Sequence, residues 1–128
     1  MSDYPSFYPE DIPPEDAEPA EGLAFRLVMQ NPPTKKCFQS SYEENPNRAA
    51  RTPQTREMLY GTSLFRDKDV ALTKRRLYKA LRSKLLSTGV LDEEHGVMKK
   101  TGKEEDNHIT VWFKDEAQPQ ERFECIEE

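Results

Sequence analysis

The chain has 128 residues, 34% hydrophobic and 34% charged, with 24 acidic against 19 basic side chains and a formal net charge of −5. A mean hydropathy of −0.95 and no apolar run near the ~20 residues that cross a bilayer exclude a transmembrane helix. Two cysteines, Cys37 and Cys125, are too few for a disulfide scaffold or, alone, for a four-ligand zinc site, and no leader pattern opens the chain.

Residues 1–22 hold seven acids, five prolines and no Lys or Arg. Proline at 5, 9, 13, 14 and 19 forbids a continuous helix or a central strand, so the segment reads as an extended acidic arm. Tyr4, Phe7, Tyr8 and Ile12 are the groups that would pin it to its own domain or to a partner. Residues 23–30 alternate, with Leu23, Phe25, Leu27 and Met29 on one face and Ala24, Arg26, Val28 and Gln30 on the other. That period predicts a half-buried strand, ended by Asn31-Pro32-Pro33-Thr34. A short element over 35–41 precedes a polar stretch over 43–56, which reads as a long surface loop.

Residues 59–65 predict a short strand bent at Gly61. The spacing of Val70, Leu77, Leu81 and Leu85 predicts a helix from an Asp67 N-cap to a Gly89 stop. Val90 and Leu91 begin another strand, broken at Asp92-Glu93-Glu94. Residues 97–100 and 108–114 predict two more, the second with Ile109, Val111 and Phe113 opposite His108, Thr110 and Trp112. Residues 122–126 form a last one. The expected fold is α+β: a small, mostly antiparallel sheet of about five strands packed by one main helix. The division is an arm over 1–22 and a single domain over 23–128.

Charge is segregated along the chain. Residues 1–22 carry −7, residues 66–86 carry +6 and residues 115–128 carry −5. Arg75, Arg76, Lys79 and Arg82 make the predicted helix a cationic binding face, for phosphates or for an acidic protein segment. An overall pI of 5.2 favours a protein over a nucleic acid. His95 and His108 lack metal-ligand spacing, so no metal site is expected. A Cys37/His108 nucleophilic pair is conceivable, although a free cysteine is ordinarily a buried small hydrophobe. No nucleophile elbow, Walker loop or dinucleotide fingerprint occurs.

Two resemblances follow from these residues. Arg26 on a first strand, Ser63 within Gly61-Thr62-Ser63-Leu64-Phe65, and Glu124 (with Glu121) near the last strand resemble the Arg–Ser–Glu layout of ADP-ribosyltransferases. That resemblance implies NAD as cofactor, with Arg26 holding phosphate, Ser63 supporting the site and Glu124 stabilising a ribosyl cation. The chain lacks the Glu-x-Glu pair of that family. Separately, Arg26-Leu27-Val28, Asn31-Pro32-Pro33-Thr34, Gly61-x-Ser63-Leu64-Phe65, His95-Gly96-Val97 and His108-x-Thr110-x-Trp112 resemble a pattern in small uncharacterised bacterial proteins. It implies a bacterial or phage origin and assigns no activity.

The expected function is a non-enzymatic interaction or accessory protein in the cytoplasm, binding a protein partner through Arg75, Arg76, Lys79 and Arg82, or through Tyr4, Phe7 and Tyr8. The alternatives are an NAD-using enzyme of the ADP-ribosyltransferase kind, with Arg26, Ser63, Glu124 and His108 as its candidate catalytic residues, and a nucleic-acid binder.

Overall fold

The computed structural model of the chain describes residues 3–126. Among them, seven strands follow in order as β1 (Glu18–Pro19), β2 (Gly22–Val28), β3 (Thr62–Phe65), β4 (Leu85–Leu91), β5 (Gly96–Lys100), β6 (His108–Phe113) and β7 (Phe123–Cys125). Helices α1 (Ser41–Glu44), α2 (Pro53–Leu59) and α3 (Lys68–Leu77) lie between them. The strands form one antiparallel sheet of order β1-β5-β6-β3-β2-β4-β7. The fold is α+β, with seven strands where the sequence predicts five.

β1 and β2 are separated only by Ala20 and Glu21, yet they hold the first and fifth places in the sheet. Four strand spacings in a flat sheet span ~19 Å, whereas three peptide steps reach at most ~11 Å. The sheet must therefore curl. The Ala20 N–H donates to the Gly96 carbonyl at 3.0 Å where the chain crosses between its two sets of neighbours.

One face of the curl packs Ala24, Val28, Leu64, Leu91, Ile109 and Val111 against Phe38 of a 3-10 turn at Lys35–Phe38. The other packs Phe25, Leu27 and Leu86 against Ala71 of α3. β2 is therefore buried on both faces, not half-buried as its alternation predicts.

The helix predicted over 67–89 is a correction. Asp67 does cap α3, its carboxylate accepting from Asp69 and Val70 N–H, but the helix stops at Leu77 and Tyr78 turns extended. A 3-10 turn at Lys79–Leu81 brings Leu81 back to the core, and residues 85–91 are β4. Ser87, Thr88 and Gly89 are weak helix formers, and β4 instead makes a seven-residue ladder with β2, from Gly22↔Leu91 to Val28↔Leu85. Gly89 is no helix stop: a Cβ there would lie 2.3 Å from the Arg122 carbonyl oxygen. The expected apolar stripe is also displaced, since Leu77 is 61% exposed and Ala71 is the buried residue of α3.

The predicted loop over 43–56 contains the end of α1 and the start of α2. Ser40 and Glu43 form a reciprocal cap at α1, and Thr52 with Pro53 starts α2. α2 sits on the Trp112 face of the sheet, where the indole N–H donates to the Glu57 carbonyl at 3.0 Å.

The N-terminal segment lies against this part of the molecule. Phe7 stacks on Tyr42 at 5.2 Å, Tyr8 meets Tyr60 edge-on at 6.1 Å, and Tyr4 stacks on Tyr8 at 5.8 Å. Asp11 makes a two-pronged bond to Arg56, and Asp16 pairs with Lys99 at 2.9 Å. Ile12 is buried. Asp11 and Asp16 of the arm thus meet Arg56 and Lys99, while Glu21 at its end lies near Arg66 of the 66–86 segment. Among the described residues, no helix is long and apolar enough to cross a membrane.

Candidate functional site: a cationic face above a gap in the sheet

β2 pairs with β3 through a single residue pair, Phe25↔Phe65, and beyond it the two strands diverge. Arg26 fills the wedge. Its Nη1 donates to the Ser63 carbonyl at 2.8 Å and its Nε to the Cys37 carbonyl at 3.1 Å. A side chain here replaces ladder hydrogen bonds that diverging strands cannot make. Burial pushes the guanidinium's pKa down, with Glu44 opposing. The nearest carboxylate is that of Glu44, at 3.9 Å and 40% exposed, against 13% for Arg26. Arg26 is thus a buried cation compensated mainly by carbonyl dipoles, whereas buried charges are ordinarily paired.

Arg26 and Ser63 open onto a pocket of about 270 Å³, walled also by Lys74 and Tyr78 of the α3 end, by Lys84 and by His108. Lys74 pairs with Asp106 at 3.3 Å. His108 bonds Thr101 Oγ1 through Nδ1 at 2.8 Å. Burial lowers its pKa, Asp106 opposes, and the neighbouring Lys74 and Arg26 lower it further, so the ring is neutral at pH 7.

A second concavity holds most of the surface predicted as a cationic face. Leu72, Arg75, Arg76 and Arg82 line a shallow groove, and Lys79 stands exposed next to them. Arg75 Nη1 donates to the Lys84 carbonyl at 3.3 Å and Arg82 Nε to the Arg76 carbonyl at 3.1 Å. Those backbone contacts hold both guanidinium groups in place. Leu77 (61% exposed) and Tyr78 (53%) stand among these cations.

The structure therefore brings Arg26, Ser63 and His108 to one pocket, while Arg75, Arg76 and Arg82 line a groove of their own. Glu124 does not join them. It lies on β7, pairs with Thr88, and stands three strand spacings from β3, about 14 Å at the usual separation. Ser63 contributes its carbonyl to Arg26, so the Arg–Ser–Glu layout is not assembled. The pocket's volume also lies below the roughly 300–1,000 Å³ of sites for drug-sized ligands, which suits a small group better than a dinucleotide. Lys74, Tyr78 and Lys84 are members that sequence reasoning missed, because one long helix places Tyr78 and Lys84 on turns they do not occupy.

Cys37 is buried, its sulfur beside Thr34 and Gln30, while His108 is held by Thr101. The expected nucleophilic pair is not formed. Burial raises the Cys37 pKa, but hydrogen bonds from Thr34, Met29 and Gln30 outweigh it and leave it lowered. Asp92, Glu94 and His95 cluster at the β4–β5 turn. Arg122 bridges both carboxylates, at 3.0 and 2.8 Å, and His95 Nδ1 accepts from Asp92 N–H. The cluster is thus an ion-paired turn.

No protein family matches the chain, and no curated protein or solved structure is similar enough to count as a match.

Proposed function

We propose that this is a non-enzymatic interaction protein that binds an acidic segment of a protein partner on the face formed by α3, the Lys79–Leu81 turn and Lys84. The observation that carries this reading is the pairing pattern. Asp11 and Asp16 of the acidic arm are engaged by Arg56 and Lys99, whereas Arg76, Lys79, Arg82 and Lys84 make no ion pair with a described residue. Leu77 and Tyr78, exposed within the same surface, favour a protein over a nucleic acid, because duplex backbone binding needs cations and gains little from an exposed leucine. The two unpaired cysteines support a reducing, cytoplasmic setting.

The test uses the peptide Glu-Glu-Asp-Phe-Glu-Glu as probe, titrated calorimetrically into the full chain and into an Arg76→Glu/Lys79→Glu/Arg82→Glu variant. Saturable binding lost in the variant supports the reading. Equal binding by the variant, or tighter binding of a random DNA duplex at 150 mM salt, overturns it.

A further inference from the structure

We propose that the pocket at Arg26 takes a phosphoryl group, carried on a side chain of the partner segment that lies across α3. The inference rests on the reading above and names the chemistry that segment must bear.

The pocket is over-supplied with positive charge. Arg26, Lys74 and Lys84 are three cationic side chains around about 270 Å³, and among the described residues the carboxylates in reach are Asp106, on Lys74, and Glu44, near Arg26. Glu44 is 3.9 Å from Arg26 and 40% exposed, so its attraction is partly screened. Between one and two positive charges are therefore left over among the described residues, which matches a phosphate monoester at −1.5 to −2 better than one carboxylate.

The donors fit as well. Arg26 spends two of its five N–H groups on carbonyls, and those two bonds fix the plane in which the others point. Lys84 has no ion-pair partner among the described residues. The His108 ring, held by Thr101 through Nδ1, lines the pocket and can meet a ligand oxygen there. A phosphoryl group's three terminal oxygens suit donors arriving from β2, β6, α3 and the loop before β4. A guanidinium fixed by two carbonyls, with Lys74 held by Asp106 and Lys84 on the same wall, gives both orientation and capture.

The ligand's charge reaches His108. The groups around its ring are Asp106 and Thr101 beside it, Lys74 from α3, Arg26 from β2 and Phe65 from β3. Of these, Lys74 and Arg26 disfavour the imidazolium. A bound dianion screens both, so His108 should protonate at higher pH when the pocket is filled.

The experiment titrates inorganic phosphate into the full chain at constant ionic strength, against chloride, and follows the Arg26 Nε–H and His108 ring signals by NMR. Saturable shifts at both, with the His108 titration moved to higher pH, are expected. A Lys74→Gln/Lys84→Gln variant, which leaves Arg26 and the core in place, should bind phosphate at least tenfold more weakly. The peptide Glu-Glu-pSer-Phe-Glu-Glu should bind at least tenfold more tightly than its serine form. Free phosphoserine matching that affinity would point to a small phosphate ester and overturn the assignment to a partner side chain. Shifts linear in phosphate, or phosphate affinity unchanged in the variant, overturn the pocket itself. Unphosphorylated acidic peptide still binding α3 would then leave the broader reading standing, whereas loss of all peptide binding removes both.

Discussion

The Arg26 guanidinium and the Ser63 carbonyl meet at 2.8 Å across the point where β2 and β3 part. One side chain thereby closes the sheet on a residue that also lines the pocket, so folding and binding share it. Arg26→Met removes the charge but leaves two buried carbonyls without donors, and a loss of about 2–4 kcal/mol is expected. Arg26→Lys should recover only part of it, because an ammonium cannot span both carbonyls. Urea denaturation of the two variants measures this, and parental stability in either would remove Arg26 from its closing role.

The boundary between α3 and β4 is tested by a leucine pair. Leu77 is largely in solvent and Leu86 is 1% exposed, so Leu77→Ala should stay within about 0.5 kcal/mol of the parent. Leu86→Ala should cost roughly 2–5 kcal/mol. The single long helix read from the sequence demands a large loss at Leu77. Equal losses at the two positions would contradict the structure.

Gly89 gives a sharper test of the same region. A Cβ there would also come within 2.6 Å of Phe123 Cδ1. Gly89→Ala should therefore push β7 away from β4, costing ~1–3 kcal/mol, and amide exchange should speed up over Phe123–Cys125. A helix-stop glycine would leave those amides unchanged.

Strands with their own period were legible, as residues 22–28, 96–100 and 108–113 show. The Asp67 cap and the α+β class were legible too. The missed helices carried readable signals: Ser40-x-x-Glu43 is a capping box, and Thr52-Pro53 is a helix start. β4 was not readable locally, because Leu77, Leu81 and Leu85 keep helical spacing while the ladder to β2 decides the structure. Nor was the pocket. It depends on β2 and β3 diverging after one pair, a long-range event that neither strand's pattern announces.

The arm is expected to stabilise without occupying the binding face. Phe7→Ala/Tyr8→Ala removes the rings packed on Tyr42 and Tyr60 and should cost roughly 1–3 kcal/mol. Binding at α3 should not change, since Asp11 and Asp16 of the arm meet Arg56 and Lys99. Tighter acidic-peptide binding by this variant would show instead that the arm shields the cationic face.

Stability should depend on pH through the histidines. Burial lowers the folded-state pKa of both His95 and His108. Below the unfolded value of ~6.5 the unfolded chain takes up protons that the folded chain resists. Their contribution is therefore complete above about pH 6.5 and is lost as pH falls toward the folded pKa values. Asp11 and Asp16, lowered by hydrogen bonds from Arg56 and Lys99, act in a separate window below ~4. Urea midpoints from pH 8 to pH 5 should fall on acidification, with His108→Gln flattening the slope. A midpoint that rises toward pH 5 would contradict the assignment.

The most direct test of the central claim is a residue-by-residue NMR map of the full chain saturated with Glu-Glu-Asp-Phe-Glu-Glu. Amide and side-chain shifts should concentrate on α3 and the Lys79–Leu81 turn, reach Lys84, and extend to Arg26 and Ser63. Shifts centred on Tyr42, Tyr60 and the arm, with α3 unmoved, would contradict it.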